Sequence, residues 1–128
     1  MVSAVTEGVT ISVETFYQPD HSNPLSGDYM FAYRITVENN NTFPVRLLRR
    51  HWYIFDSNGS WKEVDGEGVV GVQPVIQPSD QYQYVSGCGL KSEMGKMHGY
   101  YLMENLQNRK QFQANIPLFE MMAPFKAN

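Results

Sequence analysis

Residues 65–74 read DGEGVVGVQP, and Gly66, Gly68 and Gly71 stand in the spacing G-x-G-x-x-G. Glycines so spaced let backbone N–H groups come close to phosphate, and at the mouth of a helix they cradle the pyrophosphate of a dinucleotide. That chemistry needs a strand before the glycines and a helix after them. The residues that follow are VQPVIQPSD, in which Pro74 and Pro78 bar a regular helix interior and the valines favour extended chain. No G-K-[ST] follows, so the segment is not a nucleoside triphosphate loop either. The glycines are therefore expected to be architecture first: a bulge, a bend or a close backbone approach in a strand.

A second reading remains open, an anion nest built without a helix. Its candidate phosphate-binding positions are Gly66, Gly68 and Gly71, with Arg50 and Arg49 as cationic helpers and His51 beside them. Asp65 and Glu67 weigh against it, because they put negative charge next to the phosphate. They are expected either to pair with Arg50 or, as weak metal candidates near Glu63, to hold a divalent cation that bridges to phosphate. A solvated acidic edge that discourages sheet-to-sheet pairing is the plainer account of the same carboxylates.

The rest of the chain offers little catalytic chemistry. The three histidines, His21, His51 and His98, fall in no H-x-H or H-E-x-x-H arrangement, and with one cysteine there is no C-x-x-C. Cys88 lies between glycines in SGCGL, where exposure is conceivable, but a catalytic thiolate needs a neighbouring histidine or helix dipole and the sequence shows neither. No G-x-S-x-G elbow is present. No catalytic residue and no cofactor is assigned, and the protein is expected not to be an enzyme.

The elements that must position these residues have a period of two. VTISVETF, residues 9–16, puts Val9, Ile11 and Val13 on one face, and YMFAYRITVE, residues 29–38, puts Phe31, Tyr33, Ile35 and Val37 on one face. Residues 45–56 form a third strand whose two faces are both partly apolar, since Leu47 and Leu48 adjoin. One extra residue near Leu48–Arg50, a β-bulge, would switch faces and bury Trp52. Asn58-Gly59 supplies the two positive-φ positions of a tight hairpin leading to a returning strand at 61–64. Further strands are expected at 69–76, 81–85, 97–103 and 110–116, the last with Phe112, Ala114 and Ile116 on one face. Roughly seven or eight short strands with regular turn signals and no helical period predict an all-β, antiparallel sandwich of immunoglobulin or fibronectin type III style.

The totals agree with that class and narrow the partners. A chain of 128 residues suits one domain, 1–128, able to bury a core without staples. Only 18% of residues are charged and the net charge is −3, so neither nucleic acid nor a membrane surface is an expected partner. One cysteine permits no internal disulfide, and the N-terminal residues have neither the basic nor the apolar region of a signal peptide. A cytoplasmic location is expected.

Several segments together resemble the ApaG family. They are FAYRITVEN (31–39), PVRLLRRHWYI (44–54), GEGVVGVQP (66–74), QYQYVSG (81–87) and MHGYY (97–101), in that order, with the likeness running from about Val9 to about Pro124. The resemblance implies a fibronectin type III-like sandwich. It carries the glycines onto Gly66, Gly68 and Gly71 and the family arginine onto Arg50, while His51 stands where a tyrosine often precedes the tryptophan. The family, also called CorD, is associated with cobalt resistance and magnesium efflux and is encoded beside diadenosine tetraphosphate hydrolase in some bacteria. Related animal domains are inferred to bind proteins.

The function expected from all of this is a non-enzymatic interaction or regulatory module linked by resemblance to divalent cation homeostasis. The alternative is a binder of pyrophosphate or a dinucleoside polyphosphate at the glycine segment. The partner classes left open are a protein, a phosphate-containing small molecule and, through an exposed edge strand, a second copy of the chain.

Overall fold

The computed structural model describes residues 1–124. It is an antiparallel β-sandwich with nine strands among the described residues: β1 Val2–Thr6, β2 Val9–Tyr17, β3 Tyr29–Asn39, β4 Val45–Asp56, β5 Trp61–Glu67, β6 Val75–Ile76, β7 Gln81–Leu90, β8 Met94–Asn105 and β9 Gln111–Met122. One sheet has the order β1-β2-β3-β7. The other has the order β5-β4-β8-β9, with β6 pairing on β4 beyond the end of β5. The helical pieces between β2 and β3 are two single 3₁₀ turns, at Pro19–His21 and Pro24–Ser26. None is long and apolar enough to cross a membrane.

The period-two residues meet between the sheets. Val9, Ile11, Val13, Phe31, Tyr33, Ile35 and Val37 are buried from the first sheet, and Val45, Leu47, Trp52, Tyr101, Met103, Ala114 and Ile116 from the second. Trp52 sits edge-on to Tyr33, Tyr101 and Phe119, with ring centroids 5.5–6.4 Å away. Edge-to-face packing of this kind suits the negative faces and positive edges of aromatic rings.

The expected bulge is present. Leu47 faces Met103 and Arg49 faces Leu102, so Leu48 is the extra residue. Inward positions are odd before it (Val45, Leu47) and even after it (Arg50, Trp52). A second irregularity at His98 lets Pro117 and Leu118 together oppose one residue of β8. It accommodates a proline inside a strand and lets β9 run on to Met122, beyond the expected end at 116.

Two local expectations are corrected, and one strand is an addition to those expected. β1 had not been anticipated. It pairs with β2 through a two-residue turn, Glu7-Gly8, in which both φ angles are positive (46° and 78°), the geometry more often signalled by Asn-Gly. Asn58-Gly59 does not form such a turn. Only Gly59 has positive φ, at 97°, and Asp56 N–H bonds Ser60 C=O across a wider loop. Residues 69–76 are not one strand. Val69 and Val72 bond each other across a tight turn with Val70 and Gly71 at φ 46° and 79°, and only Val75–Ile76 is strand.

The sandwich is closed along one side, where β1 and β2 pack on β9 and Asn115 N–H bonds Thr6 Oγ1. On the other side the terminal strands are β7 and β5.

Candidate functional site: a groove between two strand edges

The sheets diverge between β7 and β5 and leave a cavity of about 440 Å³. The floor comes from Tyr33, Trp52 and Met97, and the walls from Tyr84, Ser86 and Cys88 on one side and Lys62, Val64 and Val69 on the other. Arg50 projects into it because the bulge turns the even residues of β4 inward.

Arg50 organises the glycine segment. Its Nη1 donates to Glu67 C=O at 2.9 Å and to Gly68 C=O at 3.1 Å. Gly66 lies opposite Arg50 on β5, and a Cβ there would stand 2.8 Å from the guanidinium. Gly68 has φ +60°, and a Cβ there would be 2.1 Å from Val72 C=O. Gly71 supplies the second positive φ of the turn and faces open space. The three glycines thus do three different things: admit a side chain, admit a backbone and turn a corner.

Three amides of the segment are committed to backbone bonds. Gly68 N–H bonds Leu48 C=O at 2.8 Å, Val69 N–H bonds Val72 C=O at 2.8 Å, and Val72 N–H returns to Val69 C=O at 3.1 Å. Leu48 C=O also accepts from Gln73 Nε2, so the bulge anchors the turn. An anion entering the groove meets the guanidinium of Arg50.

The structure separates the other sequence candidates from that site. Arg49 points to the outer face, where Nη2 reaches Asp65 at 3.3 Å and Nη1 reaches Glu67 at 4.0 Å. The two acidic residues therefore pair with Arg49 and not with Arg50. His51 is on the same outer face, 2.9 Å from Glu63 and stacked on Tyr100 with ring centroids 5.0 Å apart. No group of three or more His, Cys, Asp or Glu side chains among the described residues is placed to hold a metal ion.

Sequence reasoning missed the groove's polar lining. Tyr33 and Tyr84 line it, and the Tyr84 hydroxyl shares a hydrogen bond with that of Tyr101, which is buried in the core behind it. All three phenols are raised above their ordinary range, chiefly by burial, with Arg50 pulling modestly the other way. Cys88 is buried, contrary to the exposure its flanking glycines invited. Burial pushes its thiol up to about 11, with Lys62 lowering it and Asp56 raising it. A thiol so shifted is protonated at neutral pH and is a poor nucleophile. The readable clue was tyrosine at inward positions of three strands, where a plain core would carry Phe or Ile.

The same fold occurs in solved structures. A Bordetella pertussis protein titled ApaA superposes with a TM-score of 0.87 at 36% identity, covering 91% of this chain and 94% of that one. An Archaeoglobus fulgidus protein shares the fold alone, with a TM-score of 0.54 at 13% identity over 88% of this chain and 95% of its own. In sequence, Protein ApaG of Brucella canis is 45% identical over 124 residues, 97% of this chain and 95% of that protein. The family profile described as ApaG domain matches residues 19–105, a span that holds β3 to β8, the glycine segment and Arg50. On the profile, the near full-length relative and the shared sandwich together, the chain belongs to the ApaG family.

Proposed function

We propose that the chain is a non-enzymatic binding module that works through the groove between β5 and β7 and takes a partner or ligand presenting negative charge to Arg50. One observation carries this reading. The lining contains two cations, Arg50 and Lys62, and no carboxylate, in a chain whose net charge is −3. Apolar walls with a few convergent polar groups are the usual make-up of a binding pocket, and the volume falls within the usual range. The raised phenols and thiol support binding over acid–base or nucleophilic chemistry. The association of the family with cobalt and magnesium homeostasis is then exerted through what the groove engages in the cytoplasm, not through an ion held by this chain.

A second reading, pyrophosphate or a dinucleoside polyphosphate at the same arginine, is favoured by the position of Asp65 and Glu67. Arg49 holds their carboxylates on the opposite face, so they do not repel an anion beside Arg50. The test is an amide NMR titration of the labelled protein with pyrophosphate, ADP and diadenosine tetraphosphate, with and without magnesium. Saturable shifts at Arg50, Lys62, Tyr84 and Ser86 support a phosphate ligand. A flat response at millimolar ligand removes that ligand class and leaves a protein partner. Turnover of a phosphoanhydride, abolished by one substitution in the groove, would overturn the non-enzymatic reading itself.

A further inference from the structure

We infer that the groove's occupant is an extended peptide segment of a partner protein, which adds as a further strand beside β7 and places one acidic side chain against Arg50 and Lys62. This rests on the groove reading above and deepens it.

The four terminal strands are not protected alike. β5, WKEVDGE, carries Lys62, Glu63, Asp65 and Glu67 along its length. β9 carries Pro117 and Glu120 and packs on β1, which has only five residues. Charge, proline and shortness are the usual defences of a free edge. β7, QYQYVSGCGL, has none of them: ten residues, no Asp, Glu, Lys or Arg, and no proline. Val85 stands on it 57% exposed.

Its glycines are a second observation. Neither Gly87 nor Gly89 has positive φ, and a Cβ at either would make ordinary contacts of 3.5–3.7 Å with Phe31 C=O or Met30. Nothing inside the chain requires glycine at these positions. A bare backbone in a strand instead marks the close approach of another backbone or a ligand. The same stretch puts Ser86 and Cys88 into the groove wall. A strand added beside β7 would turn the side chain opposite Ser86 or Cys88 to that same face, toward the two cations.

Charge selects the occupant. The groove offers Arg50 and Lys62 with no carboxylate, which fits an acidic side chain. A second copy fits worse. Antiparallel β7–β7 pairing relates the copies by a two-fold axis normal to the sheet. The two β5 strands would then face one another, each with three carboxylates against one lysine.

The experiment selects peptides from a phage-displayed random library on the full chain. The enriched peptide and its Glu→Gln or Asp→Asn counterpart are then measured by calorimetry and by amide hydrogen exchange. The expected peptides carry one acidic residue among β-branched ones and slow exchange along β7. They lose about tenfold or more in affinity when the acid becomes an amide, as for a charged hydrogen bond. Lys62→Glu, an exposed substitution that leaves the core alone, should lose a similar factor; Arg50→Gln is the companion variant. The inference is overturned by a selection that enriches nothing, by peptides lacking an acid, by protection away from β7, or by self-association that protects β7 without peptide. If pyrophosphate shifts Arg50 while no peptide protects β7, the groove reading stands and this inference fails. Silence in both experiments removes both.

Discussion

Arg49 and Arg50 are neighbours in the chain and lie on opposite faces of one sheet. Arg49 reaches the exposed carboxylates of Asp65 and Glu67, whereas Arg50 donates to the carbonyls of Glu67 and Gly68 between the sheets. Exposed ion pairs contribute little, because water already satisfies both charges. A guanidinium bonded to two turn carbonyls has more to lose. Arg49→Ala is expected to cost under about 1 kcal/mol, and Arg50→Ala about 1.5–3 kcal/mol. Urea denaturation decides; equal midpoints for the two variants contradict the assignment.

The glycines should separate in the same assay. Gly71→Ala faces open space and meets only the left-handed backbone penalty, about 1 kcal/mol. Gly68→Ala adds a contact with the Val72 carbonyl and should cost about 2 kcal/mol or more. Gly66→Ala meets only the far end of a flexible side chain. It should keep most of its stability while moving the Arg50 side-chain NMR signal. A Gly68→Ala variant as stable as Gly71→Ala would refute the close approach.

Trp52 tests the position of the bulge. With Leu48 as the extra residue the indole is buried among Tyr33, Tyr101 and Phe119. Trp52→Ala is expected to cost about 3–5 kcal/mol. An unchanged denaturation midpoint would place the ring outside the core.

Alkaline pH should destabilise the fold through its buried phenols and thiol. Tyr33, Tyr84 and Tyr101 are raised from 10.0 and Cys88 from 9.0, burial being the main cause in each. Between the unfolded and folded values the native state holds protons that the unfolded state has lost, so stability falls as pH rises. It is fully present below 9.0, the unfolded thiol value, and is lost progressively through about 11 for Cys88 and beyond for the phenols. Guanidinium midpoints across this range should decline, and less steeply in Tyr84→Phe. A flat profile would mean that the phenols titrate freely. At neutral pH, Cys88 should react with iodoacetamide more slowly in the native than in the unfolded protein.

Much of the sandwich was legible because burial on one face writes a period of two. Val9, Ile11, Val13 and Phe31, Tyr33, Ile35, Val37 announced their strands, and the clash of Leu47 with Leu48 announced the bulge. Turn chemistry was less faithful. Asn58-Gly59 has the composition of a tight hairpin but spans a wider loop, while Glu7-Gly8 and Val70-Gly71 form tight turns with less typical residues. Tertiary contacts explain the first of these: Asn41 Nδ2 bonds Glu7 C=O, and its side chain fills the space above Gly8. Such a contact, 34 residues away in sequence, leaves no local signal. The site was half legible. Gly66 and Arg50 could be named together, but their partition from Arg49, Asp65 and Glu67 depends on face. The groove's tyrosines looked like ordinary strand residues until the opposing sheet was in place.

The extra residue at Leu48 acts as a phase shift in an alternating signal. Upstream of it odd numbers face the core; downstream even numbers do. The identity of the arginine that meets the groove is thus fixed by counting and not by chemistry. Removing one residue at this point would exchange the places of the two guanidiniums without altering either, sending one pair of hydrogen bonds into solvent and a salt-bridged charge into the interior. Tolerance to substitution and intolerance to a change of length are therefore expected side by side in this one segment.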